Sequence, residues 1–341
     1  MKTIEVHGNH KSTILIGEHL ENVYQYLPEK KVVIVTDEHV DHLYKDRFPD
    51  FPKVVIGTGE SVKNFATVEK IIRQLIDFGL DRHGFLLGIG GGIVCDITGF
   101  VASIFMRGIS FGFVSSTLLS QVDASVGGKN GVNFDDYKNL VGNFNQPDFV
   151  IGDLTMLKTL PEKEIKCGMG EVVKHALIKD QSMLSYIEEH SEKILNRDEE
   201  VIEELVYRSV KIKAEIVNAD EKEKGERKKL NFGHTLAHAI EKHTDLSHGE
   251  AVSIGMMFAA NASLQRGLID QTAMDRIQRT LLSLGLPVSV DIGREKLAEA
   301  VEKDKKKHDA SIDFVFLKRI GEATVNTIPL DELKRWIKEW S

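Results

Sequence analysis

The feature that most constrains this chain is a change of pattern at Pro161. Before it lie short apolar and β-branched runs at residues 31–36, 53–56, 85–89 and 109–114. Most are separated by helical patterns such as residues 64–78, where Phe65, Val68, Ile71, Ile72 and Leu75 recur at helical spacing. Strands alternating with helices predict a mostly parallel sheet wrapped by helices. After Pro161 no proline occurs until Pro287, and long amphipathic patterns cover residues 199–217, 233–242 and 249–266. That stretch predicts a helical domain, with a strand at 312–318 and a final helix at 331–340 behind it. The expected organisation is an α/β domain over residues 1–160 and a mainly α-helical domain over 161–341. A length of 341 residues fits two domains.

Charge narrows the function classes. Lys and Arg number 44 against 52 Asp and Glu, a formal charge of −8. That balance argues against nucleic acid, which needs basic surface to neutralise phosphates. An anionic ligand has to be caught by local cations against an unfavourable global field. Two cysteines, Cys95 and Cys167, cannot supply a disulfide framework, so a reducing cytoplasm is expected. Residues 1–17 alternate polar and apolar and read as strand, not signal peptide. The most apolar stretch, residues 251–264, is too short to span a bilayer, so no membrane role is expected.

Half of the glycines, 14 of 28, lie between Gly79 and Gly152. Within them the segment GIGGGIVCD at 88–96 follows a predicted strand and enters an apolar helical pattern. A strand, a glycine turn and a helix N-terminus together offer backbone N–H groups and positive dipole to a pyrophosphate. The spacing G-x-G-x-x-G is absent, because position 93 is Ile, and a tight strand–helix turn is the simpler alternative. Upstream, Glu60 and Lys63 follow a strand end, where they suit a ribose hydroxyl and a phosphate or merely accompany a helix start capped by Ser61.

The second half is rich in metal-type residues. His234, His238, His243 and His248 fall within fifteen positions, and Glu171 is the nearest upstream candidate carboxylate. Histidines four apart share a helical face, which favours the His234/His238 pair, but spacing leaves the choice among the four open. Two imidazoles and one carboxylate leave positions for substrate, as catalytic divalent ions require. Lys129 and Lys138 lie in segments rich in glycine and asparagine, read as loops. Lys174 stands one turn after Glu171, where a charge-balancing i,i+3 pair is the plain account. Lys213, Arg227 and the cations at 305–307 have surface readings, and residues 220–229 read as a solvated turn.

Taken in order, the motifs form a series: GGGxxxD at 90–96, MRG at 106–108, QVDASVGGK at 121–129, KNLVG at 138–142 and GEVVK at 170–174, then LNFGHT at 230–235, HGE at 248–250 and DKK at 304–306. In this series the chain resembles the 3-dehydroquinate synthase family of sugar-phosphate cyclases, over roughly residues 30–320. The resemblance implies a nucleotide-binding α/β domain, a helical metal-binding domain, an active site in the cleft between them and a homodimer. It implies NAD and Zn²⁺ (or Co²⁺) as cofactors. The phosphorylated substrate would be 3-deoxy-D-arabino-heptulosonate 7-phosphate, converted to 3-dehydroquinate and phosphate on the way to chorismate and the aromatic amino acids.

Carried over by motif, the metal ligands would be Glu171, His234 and His248, with His238 as a proton-transfer or phosphate-side group; here the resemblance departs from the spacing argument. Asp37, Glu60, Lys63, Gly91, Gly92, Asp96, Ser116, Thr117 and Thr159 match positions that hold the dinucleotide, with Asp123, Lys129 and Lys138 bordering it. Asp123, Lys129, Lys138, Asn139, Lys174, Lys213, Arg227 and Asn231 match the substrate site, with one further cation from Lys305 or Lys306. Arg107 would reach the neighbouring subunit's site. The five cations Lys129, Lys138, Lys174, Lys213 and Arg227 would converge on phosphate and carboxylate.

The chain departs from the family pattern at Cys95, Ser115, Ser116, Tyr137 and Ala237. A sister cyclase acting on sedoheptulose 7-phosphate or glucose 6-phosphate is one alternative, and a metal-dependent NAD polyol dehydrogenase is another. A non-enzymatic nucleotide-sensing or scaffold protein would leave the polar loop residues without a purpose. Lys213, Arg227 and Asn231 occurring together favour a carboxylate-bearing substrate.

Overall fold

The computed structural model describes the chain apart from Asn9, Asp136, residues 306–309 and Ser341, and apart from the side chains of residues 302–305. The chain folds into two compact units, Met1–Leu160 with Lys213–Glu221, and Pro161–Ile212 with Lys222–Ser341.

The first unit carries β1 (Lys2–His7), β2 (Lys11–Ile16), β3 (Val32–Asp37), α1 (Glu38–Tyr44), β4 (Lys53–Ile56), α2 (Phe65–Asp77), β5 (Phe85–Gly90), α3 (Gly92–Ile104), β6 (Ser110–Ser115), β7 (Lys129–Phe134), β8 (Tyr137–Phe144) and β9 (Phe149–Gly152). Seven strands form one sheet in the order β1-β2-β9-β6-β5-β3-β4, parallel throughout except where β1 pairs with β2. The N-terminal alternation, read as strand, is thus a two-stranded hairpin on the sheet edge. All six residues of β5 are buried, as a strand covered on both faces must be. Phe85, Leu87 and Ile89 join Val32, Ile34, Val114, Phe149 and Ile151 in the main core cluster.

Helix α2 shows how closely local sequence sets an element. Asn64 caps it by accepting from the Thr67 N–H at 3.0 Å, and Val68, Ile71 and Leu75 form its buried stripe. The strand order also places a switch point: β4 lies on one side of β3 and β5 on the other. In open α/β sheets ligands bind at the carboxyl ends of strands flanking such a reversal. Those ends are Asp37 on β3 and Gly90 on β5, adjacent in register.

Lys129 and Lys138, read as loop residues, stand instead on the two-stranded hairpin of β7 and β8. Glycine and asparagine are poor strand formers, which hides this element. The glycines are needed because the backbones meet closely: Gly131 pairs with Gly142, where an added Cβ would lie 2.3 Å from the Asn130 carbonyl oxygen.

The second unit carries α4 (Glu162–Lys179), α5 (Gln181–Glu189), α6 (Ser191–Leu195), most of α7 (Glu199–Ala219), α8 (His234–Glu241), α9 (His248–Gln265), α10 (Gln271–Ser283), α11 (Arg294–Lys305), β10 (Ser311–Arg319), β11 (Glu322–Pro329) and α12 (Leu330–Glu339). Helix α9 is buried on nearly every face, which explains the apolar composition of residues 251–264. Among the described residues no helix is long and apolar enough to cross a membrane. The run read as a solvated turn contains a 3₁₀ turn, Glu226–Asn231, in which Arg227 is buried at 1% exposure. Charge density concealed it, because the neighbouring Lys228 and Lys229 do reach the surface and pair there with Asp313 and Glu226.

Candidate active site

In the second unit, two helix crossings at glycine assemble a carboxylate and two imidazoles. A Cβ on Gly170 of α4 would lie 2.6 Å from the Gly249 carbonyl oxygen, and one on Gly249 of α9 would lie 2.0 Å from that of Cys167. Likewise a Cβ on Gly255 would meet the Gly233 carbonyl oxygen at 2.0 Å. Gly233 itself is left-handed (φ 82°) just before α8, a conformation that favours glycine. These contacts set Glu171 beside Gly170, His234 beside Gly233 and His248 beside Gly249.

The Nε2 atoms of His234 and His248 lie 3.6 and 3.3 Å from the same Glu171 oxygen, Oε1, while the Lys174 ammonium pairs with Oε2. Glu171 is 0% exposed and Lys174 1%, so the i,i+3 pair expected from spacing is present and deeply buried. Burial pushes the Glu171 carboxyl up, but Lys174 and both histidines overcome it and hold the group well below the usual carboxylate range. Burial also opposes charge on His248, yet the carboxylates of Glu171 and Glu241 bring it up to about 10. His234 goes the other way, pushed well down by burial and Lys174. A deeply buried carboxylate facing two Nε2 atoms fits a divalent ion with N₂O ligation.

The four-histidine ambiguity resolves on this geometry. His238 stands edge-on to His234 with ring centroids 5.7 Å apart, but of these four histidines it is His234 and His248 that group with Glu171 among the described residues. His243 is exposed. Nearby in the fold of this unit, Asn231 donates to Glu223 at 2.6 Å. Lys306 lies outside the described residues, as does the side chain of Lys305.

The first unit builds a cradle at the end of β5. Cβ atoms on Gly90, Gly91 and Gly92 would meet Val94 at 2.5 Å, Thr117 at 3.0 Å and Ala124 at 3.1 Å, so the turn is packed to the backbone. No side chain caps α3, which leaves its first N–H groups open. The hydroxyl of Ser116, buried beside this turn, makes no hydrogen bond. An uncapped helix start behind glycines, with an orphaned hydroxyl next to it, fits a dinucleotide phosphate. Asp37 caps α1 through Oδ1, accepting from His39 and Val40 at 2.9 Å each, and burial raises its carboxyl.

A hydrogen-bonded chain links candidates that lie far apart in sequence. Glu60 accepts from Asn133 at 2.8 Å, Asn133 accepts from the Asn139 N–H at 2.8 Å, and Asn139 accepts from Lys63 at 2.5 Å. Lys63, 5% exposed, also pairs with Asp96, whose carboxyl burial nonetheless raises. Asp123 accepts from Lys213 at 2.6 Å through its carboxylate and at 2.5 Å through its carbonyl. Thr117 bonds to Ser120, and the exposed Thr159 to Tyr44. Lys129 and Lys138 are exposed, and Arg107 is exposed on a left-handed backbone (φ 69°). Sequence reasoning missed Asn133, Glu223 and Glu241; only Glu241, two helical turns after His234, carries a spacing signal.

The models for the N-terminal and C-terminal parts of 3-dehydroquinate synthase match residues 53–167 and 168–307. The 3-dehydroquinate synthase of Acetivibrio thermocellus is 43% identical over 89% of this chain and 88% of its own length, and that of Thermoanaerobacter pseudethanolicus is 40% identical over 93% of each. A crystal structure of 2-deoxy-scyllo-inosose synthase with carbaglucose-6-phosphate, NAD⁺ and Co²⁺ is similar in fold, with TM-score 0.88 at 24% identity over 99% of this chain and 100% of that one. The 2-epi-5-epi-valiolone synthase of Streptomyces hygroscopicus, with NAD⁺ and Zn²⁺ bound, gives TM-score 0.88 at 24% identity over 99% of each chain.

Proposed function

The chain belongs to the 3-dehydroquinate synthase family, and from that premise we propose that it converts 3-deoxy-D-arabino-heptulosonate 7-phosphate into 3-dehydroquinate and phosphate with NAD and a divalent ion, Zn²⁺ or Co²⁺. The observation that carries this reading is the buried Glu171–His234–His248 cluster in a chain that also holds the open glycine turn at Gly90–Gly92. A bound NAD would supply reversible hydride chemistry at C5, and a bound ion would supply Lewis-acid polarisation of the substrate's hydroxyl oxygens.

The chain's own residues do the rest. Gly91 and Gly92 let the dinucleotide phosphates approach the backbone, while Lys63 and Asp96 grip its polar groups. Glu171 offers Oε1 to the ion because Lys174 occupies Oε2. With C5 at the ketone level the adjacent C6–H would be acidic, and the C7 phosphate would leave with that proton as hydrogen phosphate, the C–H electron pair forming the C6=C7 bond. Lys129, Lys138, Lys213 and Arg227 neutralise phosphate and carboxylate, and with Asn139 and Asn231 they hold one conformation of a flexible intermediate. Ring opening and internal aldol closure then need a proton donor and acceptor, a role that suits His238. The reading also includes a homodimer in the cytoplasm, with exposed Ile104 and Met106 beside Arg107 supporting a protein contact there.

The decisive experiment incubates the protein with NAD, Zn²⁺ and the heptulosonate phosphate and measures released phosphate and dehydroquinate together. Equimolar release with no net NADH is expected. Phosphate release from sedoheptulose 7-phosphate or glucose 6-phosphate in its place would assign a sister cyclase, and steady NADH accumulation with a polyol would assign a dehydrogenase. Arg227→Ala is expected to lower kcat/KM by about 10²-fold or more, since it removes one charged partner of a buried carboxylate. An unchanged rate would remove Arg227 from the site.

A further inference from the structure

One carboxylate near the histidine cluster has no part in the reading above. Glu241 is the last residue of α8, whose first residue is His234. Its side chain is 7% exposed, and Oε1 lies 3.4 Å from Nδ1 of His248. The same imidazole turns Nε2 toward Glu171 at 3.3 Å. His234 has the matching arrangement, with Nε2 toward Glu171 and Nδ1 toward the Phe232 carbonyl at 3.3 Å. Each ring therefore presents Nε2 to one shared point and anchors Nδ1 to an acceptor. That pattern is how metal-binding imidazoles are held to one tautomer and one ring orientation.

The two anchors differ in kind. The Phe232 carbonyl is backbone, fixed by the left-handed turn at Gly233, and cannot be mutated away. Glu241 is a side chain with a full charge, and a carboxylate makes its imidazole a stronger donor than a carbonyl does. His248 is the first residue of α9. There the capping box of Ser247 and Glu250 fixes the backbone, and the ring is set by its own contacts, Glu241 among them. A single eight-residue helix thus supplies one ligand at its start and orients the other from its end.

We propose that Glu241 is a positioning residue that holds His248 in the Nδ1–H tautomer and aims its Nε2 at the divalent ion, so that ion affinity depends on a side chain outside the ligand set. This deepens the reading given above and rests on it. The test titrates Zn²⁺ into metal-free protein against a chromogenic chelator and records the d–d spectrum of the Co²⁺-loaded form, for wild type, Glu241→Ala and Glu241→Gln. Glu241→Ala is expected to weaken Zn²⁺ binding by about 10–100-fold and to shift the Co²⁺ bands. Glu241→Gln keeps an acceptor oxygen and is expected to recover most of the affinity. Unchanged affinity in Glu241→Ala, or equal loss in both variants with unchanged Co²⁺ bands, overturns the proposal. Wild-type protein that binds no Zn²⁺ would instead overturn the underlying metal reading.

Discussion

Metal-free Glu171→Ala protein is expected to melt on the order of 10 °C below metal-free wild type, and to lose both Zn²⁺ binding and roughly a thousandfold or more of its turnover. Two effects combine. The first is electrostatic and needs no metal: Lys174 is 1% exposed and pairs with Glu171. Removing one member of a buried pair leaves the other charge uncompensated, which costs about 3–5 kcal/mol. The second is catalytic, because Glu171 is the carboxylate that groups with the Nε2 atoms of His234 and His248. The double variant Glu171→Ala/Lys174→Met separates them. It deletes both charges, so stability is expected to return while Zn²⁺ binding and turnover do not. Differential scanning calorimetry of the metal-free proteins reads the first effect, and metal content and phosphate release read the second. A single variant as stable as wild type would show that the ion pair contributes nothing.

The same residues show what sequence could and could not reveal. The helix at 64–78 is legible because burial on one face writes a period into the chain, and the central sheet strands because burial on both faces writes short continuous apolar runs. The spacing at Glu171 and Lys174 was equally visible, but spacing does not report depth; one i,i+3 pair reads the same in water and in a core. The histidines show the opposite limit. Helical periodicity favoured His234 with His238, whereas His248 reaches Glu171 only because a second helix starts there, a tertiary fact without local signature. The hairpin bearing Lys129 and Lys138 was hidden because its glycines serve a close backbone approach at Gly131 and Gly142 and so break the usual strand composition. Motif resemblance filled these gaps by naming positions, and the geometry supplies the reasons.

Gly249→Ala is the sharpest probe of those reasons, since it touches no ligand. In the HGE motif this glycine follows His248. Its structural role is the crossing of α9 over α4: an added Cβ would lie 2.0 Å from the Cys167 carbonyl oxygen, 2.6 Å from its carbonyl carbon and 2.6 Å from its Cα. These are backbone atoms of a packed helix, so no rotamer change relieves the clash. The helices have to separate by an ångström or more, and the cost is expected to exceed the roughly 1–3 kcal/mol typical of overpacking. His248 rides on α9 and Glu171 on α4, so the same separation opens the 3.3 Å gap between them. An ångström of misplacement is enough to cost about 10²-fold in turnover. Zn²⁺ affinity is therefore expected to fall by at least a similar factor, together with a lowered Tm. Gly293→Ala is the matched control, because a Cβ there meets nothing within 4 Å and its backbone is not left-handed. It is expected to leave Tm and Zn²⁺ affinity unchanged. If Gly249→Ala binds Zn²⁺ as wild type does, the crossing does not set the distance between the ligands, and the cluster owes its geometry to something other than the approach of α4 and α9.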